Sequence, residues 1–163
     1  MKKAIIAVCV LFCMVLPGCV IPNTQQPGES APQYNTQFPL TALEYTIITN
    51  KEIALVMNIL ETHMSNGRNV IRSRYPIEDE IKNAEHSLIM TGEAIKTIDT
   101  LYPAITYEDD RLEILRRMEN ALNSLENYKT ALEGRDMEMT YGLIDVMQGD
   151  FVSLKGMFNI VWE

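Results

Sequence analysis

The chain has 163 residues, which suits a single domain, and its 22 acidic and 14 basic residues give a net charge of −8. A chain this acidic repels phosphate backbones and anionic lipid headgroups. We therefore expect no nucleic-acid partner and no basic face that would hold the protein on a membrane.

The first nineteen residues carry the pattern of an export signal. Lys2 and Lys3 precede thirteen uncharged, largely apolar residues at 4–16, and Pro17 and Gly18 then break the helix. Such a run is too short to span a bilayer, which takes about 20 residues. Its length matches the hydrophobic region of a secretory signal.

The sequence LPGC at residues 16–19 resembles the lipobox of bacterial prolipoproteins. The resemblance implies that Cys19 receives a diacylglycerol and becomes the first residue of the mature chain. It implies a lipid anchor on the extracytoplasmic side of the cell membrane, or at the outer membrane of a cell that has two. Cys9 and Cys13 lie in the segment that cleavage would remove, so we expect no disulfide. The alternative is an ordinary signal peptide, or a short buried helix, with an incidental cysteine.

We therefore expect three parts: a cleaved signal peptide at 1–18, the lipidated cysteine with a tether at 19–39, and a folded domain at 40–163. The tether holds four of the seven prolines, many polar residues and a single charge, Glu29. This composition cannot offset the entropy of ordering, so we expect a flexible segment. At about 3.1 Å per residue it could reach roughly 60 Å. Cleavage would remove two basic residues and no acidic one, which changes the net charge from −8 to −10.

The first predicted helix covers about residues 41–66. Thr41 and Glu44 fit a capping box at its start. Gly67 supplies a stop signal, because glycine adopts the left-handed cap conformation easily. Val70 and Ile71 could nevertheless prolong the helix past that glycine.

Three more helices of similar length follow. The second begins with Pro76 at its first position and closes at Pro103. The third runs from a Thr106 cap to Gly134, and the fourth begins with Asp136 as its cap. Each helix is expected to have about 26 residues and to span roughly 39 Å.

Apolar residues recur at steps of three and four in every predicted helix, which indicates one buried stripe on each. The similar lengths and short links favour antiparallel neighbours. The prediction is an all-α fold, a four-helix up-down-up-down bundle, with no sheet. The stripes expected to form the core are Ile47, Ile48, Ile53, Val56, Met57, Leu60 and Met64; Ile77, Ile81, Ala84, Leu88, Thr91, Ile95, Ile98 and Tyr102; Leu112, Leu115, Met118, Leu122, Leu125 and Leu132; and Met137, Thr140, Ile144, Met147, Phe151, Leu154, Phe158 and Val161.

The sequence offers little chemistry for a cofactor, a metal or a catalytic site. It has two histidines, of which His86 should point away from the core and His63 lies at the edge of its stripe. We find no Glu-x-x-His, Cys-x-x-Cys-His, EF-hand, Walker or nucleophile-elbow motif. We therefore expect no catalytic residues, no metal and no cofactor. A non-covalent haem on His63 and a methionine is the open alternative, although methionine more often fills gaps in a core.

Charged clusters at the helix ends have two interpretations. The acidic triplets at 78–80 and 108–110 occupy first turns, where the helix dipole favours negative charge, and they should lie at opposite ends of the bundle. Arg68, Arg72 and Arg74 could bind a phosphate or the carboxylate of a partner. Local pairing with residues 78–80 or with Glu138 is the simpler expectation.

Three glycines of the fourth helix form a line. Gly142, Gly149 and Gly156 are spaced by seven and fall opposite the buried stripe. Glycine inside a helix costs about 1 kcal/mol relative to alanine, so three on one line call for a reason. A smooth groove that admits a second copy of the chain or a membrane-protein partner is one reason. The alternative is that the helix tolerates glycines of low helix propensity because burial of its apolar face stabilises it enough.

These features predict a membrane-anchored lipoprotein that acts as a non-catalytic protein-interaction or scaffolding module at the cell envelope. The partner would be a protein, with a homodimer as one form of the contact. The alternative function is a helical bundle that binds haem or another small ligand and is displayed on the membrane surface.

Overall fold

The computed structural model describes residues 40–102 and 107–160. Within these ranges the chain forms four helices and no strand, which confirms the all-α four-helix prediction. None of these helices is long and apolar enough to cross a membrane. The helices are α1 Ala42–Ile71, α2 Ile77–Asp99, α3 Glu108–Glu133 and α4 Met137–Ile160. Cys19, the signal segment and the tether lie outside the described residues.

The helices form an antiparallel ring in which each packs against its two neighbours, and α1 also touches α3 across the centre. At one end, the Leu40 N–H donates a hydrogen bond of 2.9 Å to the Tyr102 carbonyl, which joins the start of α1 to the end of α2. We call this the near end. The links at residues 72–76 and 134–136 lie together at the opposite end, which we call the far end.

Side chains from all four helices fill the core. Most predicted stripe residues are buried or half-buried, but Ile47 and Leu112 are more than half exposed, whereas Ile114 and Tyr128 are fully buried. The buried face of α3 is therefore centred beside the predicted stripe. The largest fully buried side chains are Tyr45, Ile53, Leu60, Ile98, Ile114, Met118, Leu125, Tyr128, Leu132, Ile144, Met147 and Leu154.

Two of the predicted caps are confirmed. The Glu44 N–H donates to Thr41 Oγ1 at 3.3 Å and the Thr41 N–H donates to Glu44 Oε2 at 3.0 Å, which completes the capping box of α1. The Met139 N–H donates to Asp136 Oδ1 at 2.9 Å at the start of α4. The Thr106 cap lies outside the described residues, and α3 begins after Tyr107.

The start and end of α2 differ from the prediction. Pro76 is the N-cap residue of α2, with a ψ of 130°, and not its first helical residue. The helix ends at Asp99, and Tyr102, which was predicted to belong to the buried stripe, is 57 % exposed beyond it. Leu101 packs into the core in its place.

The predicted stop at Gly67 is wrong, because α1 continues to Ile71. Gly67 is needed there for a different reason. A Cβ atom at this position would lie 2.7 Å from the Tyr128 hydroxyl oxygen and 3.0 Å from Ile144 Cδ1. The glycine therefore makes room for a tyrosine that reaches across the core from α3.

The second residue of each far-end link is a non-glycine residue in the left-handed conformation, Ser73 with φ of 54° and Arg135 with φ of 53°. Gly134, at which α3 was predicted to end, is the C-cap residue of that helix, with a φ of −73°. After α1, Ser73 and Arg74 donate backbone hydrogen bonds back to the last turn of the helix, and Arg135 and the next residue do so after α3. The two helix ends thus share the Schellman geometry.

Candidate functional site

A buried polar network crosses the core near the far end. The His63 ring is 1 % exposed and the Glu80 side chain is fully buried. His63 Nδ1 lies 2.6 Å from Glu80 Oε1, and His63 Nε2 lies 2.8 Å from Ser87 Oγ. In the neutral ring, Nδ1–H donates to the carboxylate and Nε2 accepts from the serine hydroxyl.

Glu80 is the centre of this network. Besides His63, its carboxylate accepts hydrogen bonds from Asn66 Nδ2 at 2.8 Å and from the Tyr128 hydroxyl at 3.0 Å. Three donors from α1 and α3 therefore satisfy a carboxylate on α2. Burial and the neighbouring Glu80 carboxylate raise the pKa of Tyr128 above its ordinary value, so this hydroxyl stays a donor. A buried charge is tolerated when it is hydrogen-bonded in this way.

Ser87, His63 and Glu80 stand in the order of a hydroxyl, an imidazole and a carboxylate, as in hydrolases that use a serine nucleophile. Ser87, however, lies in the middle of α2, where the backbone N–H groups are bonded within the helix. They cannot serve as the donors that an acyl-transfer intermediate needs. The geometry favours a structural role that fixes α1, α2 and α3 relative to one another.

The network also bears on haem or metal binding. Both ring nitrogens of His63 are engaged, so a haem iron would have to displace Glu80 or Ser87 from the histidine. His86 lies on the exposed face of α2. In the part of the chain that the structure describes, no group of three His, Cys, Asp or Glu residues could hold a metal ion.

One turn beyond the network, the two far-end links enclose an open cleft of about 560 Å³. Val70 is buried, and Tyr75, Ile77 and Met137 are half-buried beside it. The remaining lining residues, all exposed, are Ser73, Arg74, Pro76 and Arg135. The cleft therefore combines an apolar interior with two guanidinium groups, and it includes Ser73 and Arg135, the two non-glycine residues of the described ranges that have a positive φ.

The arginines of the first link do not form the expected local pairs. Within residues 40–102 and 107–160, Arg68, Arg72 and Arg74 take part in no ion pair, so the prediction that they pair with residues 78–80 or with Glu138 is wrong. Two of the four predicted carboxylate partners are engaged elsewhere, whereas Asp79 and Glu138 stay exposed and form no ion pair within these ranges. The Glu80 carboxylate is buried on His63, and Glu78 pairs with Arg135 at 2.8 Å. Three guanidinium groups therefore face solvent at the far end.

The predicted glycine line lies on the exposed outer face of α4. A Cβ atom at Gly142 or Gly149 would meet nothing within 4 Å, and one at Gly156 would lie 3.8 Å from Arg117 Nη1. Val146 and Val152, 50 % and 59 % exposed, lie among these glycines. The three predicted positions thus share one exposed, partly apolar face, and none of them lines the far-end cleft.

Sequence reasoning missed the network and the cleft for identifiable reasons. Glu80 was interpreted through the helix dipole together with its two neighbours, and a spacing pattern cannot reveal that only the third carboxylate turns inward. Gly67 was the best signal available, because apolar residues continued beyond it at helical spacing. A glycine inside a continuing stripe indicates that something packs closely against it.

Comparison with protein-family models, with curated proteins and with solved structures found no match to this chain.

Proposed function

We propose that the protein is a bacterial lipoprotein, anchored through Cys19 on the extracytoplasmic side of the membrane, that acts as a non-catalytic interaction module. In this proposal residues 20–39 form the tether, and the helical bundle presents its far end to a partner protein. The lipobox resemblance of residues 16–19 supports the anchor, since two acyl chains give stable membrane attachment.

The observation that carries the proposal is the position of the far-end cleft relative to the point where the tether meets the bundle. The tether joins the bundle at Leu40, at the near end, where the backbone of Tyr102 fixes it. The cleft and the unpaired arginines lie at the opposite end, where the two links come together. α1 has 30 residues, so the two ends are about 45 Å apart. A surface at that distance from the attachment point is free to meet another protein.

A non-catalytic role is supported by the surroundings of the buried histidine and carboxylate. His63 and Glu80 are enclosed in the core, and their outermost partner, Ser87, belongs to the interior of a helix. The cleft itself holds the hydroxyls of Ser73 and Tyr75, but among its lining residues in the described part of the chain there is no His, Asp, Glu or Lys that could activate them as a general base.

The outer face of α4 is a second candidate surface. Exposed Val146 and Val152 alternate there with Gly142 and Gly149, so another helix could approach the backbone closely. A second copy of the chain or a membrane-protein helix would fit this face. We rank it below the cleft because nothing on α4 identifies what would cover it.

The test is site-specific photo-cross-linking in intact cells. A photoreactive residue is placed at Arg72 on the far end, at Gly149 on the outer face of α4, or at Lys96 near the near end, and adducts are identified by mass spectrometry. We expect one protein to be captured in high yield from Arg72 and not from Lys96. Capture from Gly149 alone would show that the partner binds the outer face of α4 and not the far end.

A Cys19→Ala version controls for location, and it should lose both the lipid and the adduct. If no position captures any protein other than abundant membrane proteins, the proposed interaction module is wrong.

A further inference from the structure

We infer that the far-end cleft binds a short acidic peptide segment of a partner protein. The carboxylates of the segment would lie on the arginines, and one apolar side chain would enter the cleft. This inference rests on the proposed function and specifies the chemistry of its partner.

The size and lining of the cleft favour a peptide over a small anion. Its volume of about 560 Å³ lies within the range of ligand sites, about 300–1,000 Å³. Val70, Tyr75, Ile77 and Met137 supply apolar surface that a phosphate or carboxylate ion would leave unfilled. An aromatic or aliphatic side chain would remove that surface from water, at about 25 cal/mol for each Å² buried.

The charges at the far end favour carboxylates as the polar part of the ligand. Arg74 lines the cleft and belongs to no ion pair within the described residues, and Arg68 and Arg72 stand free beside it. A guanidinium group matches a carboxylate with two parallel hydrogen bonds. Arg135 also lines the cleft, and its pair with Glu78 has both side chains more than 60 % exposed. Solvent screens such an exposed pair and leaves it weak, so a ligand carboxylate can replace Glu78.

Acidic side chains of the far end are largely committed elsewhere. Glu133 pairs with Lys129 at 2.6 Å, Asp136 caps α4, and Glu80 is buried in the network. Asp79 and Glu138 remain exposed and unpaired within the described ranges, and they would oppose an acidic ligand. They are fewer than the three free guanidinium groups, in a chain that is otherwise strongly acidic. The far end is therefore the part of the bundle best suited to an acidic segment.

The backbone gives independent support for a preformed site. Ser73 and Arg135 hold left-handed conformations, which are unfavourable for a non-glycine residue, and both line the cleft. Such strained positions persist where the surrounding structure fixes them, and they cluster at binding sites. The network of His63, Glu80 and Tyr128 fixes three of the four helices one turn away. A cleft fixed in this way needs little ordering when it binds.

The experiment measures fluorescence anisotropy of labelled five-residue peptides with the full-length chain in detergent. The first probe is Glu-Glu-Phe-Glu-Glu. Its two matched controls replace every glutamate by glutamine, or the phenylalanine by serine. We expect saturable binding of the first probe and about tenfold weaker binding of each control.

The variants separate the cleft from general charge effects. Arg74→Gln with Arg135→Gln should weaken binding of the first probe about tenfold. Lys96→Gln with Lys155→Gln removes the same charge from exposed lysines that belong to no ion pair in the described part of the chain and lie towards the near end, and it should leave binding unchanged. Arg74→Glu, a single exposed change, gives the same test if the double arginine variant melts early.

Three results would overturn the inference: no binding of any peptide, equal weakening by the lysine control, or binding that is indifferent to phenylalanine and displaced equally well by inorganic polyphosphate. The last would indicate a general anion site. If the peptides fail while Arg72 still captures a protein in cells, only the recognition chemistry is wrong. If the peptides bind but no protein is captured, the inference about the cleft stands and the proposed function is wrong.

Discussion

At the scale of single residues, stability depends on whether a buried polar group has partners. Tyr128 and Tyr45 are both fully buried. The Tyr128 hydroxyl donates to Glu80, whereas the hydroxyls of Tyr45 and Thr49 lie near each other without a hydrogen bond. The same functional group is therefore stabilising in one place and not in the other.

Replacing each tyrosine by phenylalanine tests this contrast. Tyr128→Phe removes a donor from a buried carboxylate, so the free energy of unfolding should fall by about 1.5–3 kcal/mol. Tyr45→Phe removes a hydroxyl without a hydrogen-bond partner, and the free energy of unfolding should stay the same or rise by less than about 1 kcal/mol. Urea unfolding followed by circular dichroism measures both. Equal losses would show that packing, and not the hydrogen bond, decides the outcome.

The raised pKa values of the two tyrosines predict how the free energy of unfolding changes at alkaline pH. Burial raises the pKa of Tyr45 from 10.0 to about 12, and the pKa of Tyr128 is raised as well. The unfolded chain releases these protons near pH 10 while the folded chain retains them, so stability is intact below pH 10 and declines above it. The decline from Tyr45 should continue until about pH 12. Tyr45→Phe should make the fall in melting temperature over this range less steep, and an unchanged slope would contradict the prediction.

At the scale of helices, the sequence predicted the number and order of the elements, their buried faces apart from a shift in α3, and the end of α3 at Gly134, but not the ends of α1 and α2. Periodicity reports a preference for a face, whereas a helix end depends on contacts made by other helices. Gly67 illustrates this, because its role depends on Tyr128, which lies 61 positions further along the chain. The candidate site was out of reach for the same reason. The arginines of the first link were visible in the sequence, but the carboxylates that leave them free are positioned by the tertiary fold.

Two glycine-to-alanine changes should have opposite effects. Gly149→Ala should raise the free energy of unfolding by about 1 kcal/mol, because the position is helical and open. Gly67→Ala should lower it by about 1–3 kcal/mol, since the new methyl group would overlap Tyr128 and Ile144. In a double-mutant cycle, Gly67→Ala should lower the free energy of unfolding by less when Tyr128→Phe is also present. If Gly67→Ala is also stabilising, α1 does not approach Tyr128 as described.

The left-handed backbone of Ser73, just after α1, gives a separate prediction. Ser73→Gly should raise the free energy of unfolding by about 1 kcal/mol, because glycine adopts a φ of 54° without a steric penalty. The same change at Ser65, exposed within α1, should lower the free energy of unfolding by about 0.5 kcal/mol. Thermal melts of the two variants compare one chemical substitution in two conformations. A loss at both positions would mean that Ser73 is not strained.

At the scale of the whole molecule, the bundle separates attachment from recognition. The contacts that hold the start of α1 are at the near end, and the cleft is at the far end. The core between them is continuous. In the proposed function, the bundle then acts as a rigid spacer and the tether sets how far the cleft can reach.

Shortening the tether should separate stability from function. Deletion of residues 23–38 leaves Cys19 and the described bundle intact, so the melting temperature should be unchanged. Capture of a partner from Arg72 in cells should fall by about tenfold, because the reach of the tether decreases with its length. A glycine-serine segment of the original length should restore capture. Full capture by the deleted form would show that reach is not needed.

The even number of helices has a consequence for how the protein can change over generations. The described bundle begins and ends at the near end, and the exposed residues that contact a partner would lie in two short links at the far end. Substitutions of these exposed link residues leave the core and the attachment untouched. Descendants of one ancestral bundle could therefore acquire new binding preferences by exchanging a handful of link residues, while the framework that displays them is inherited intact.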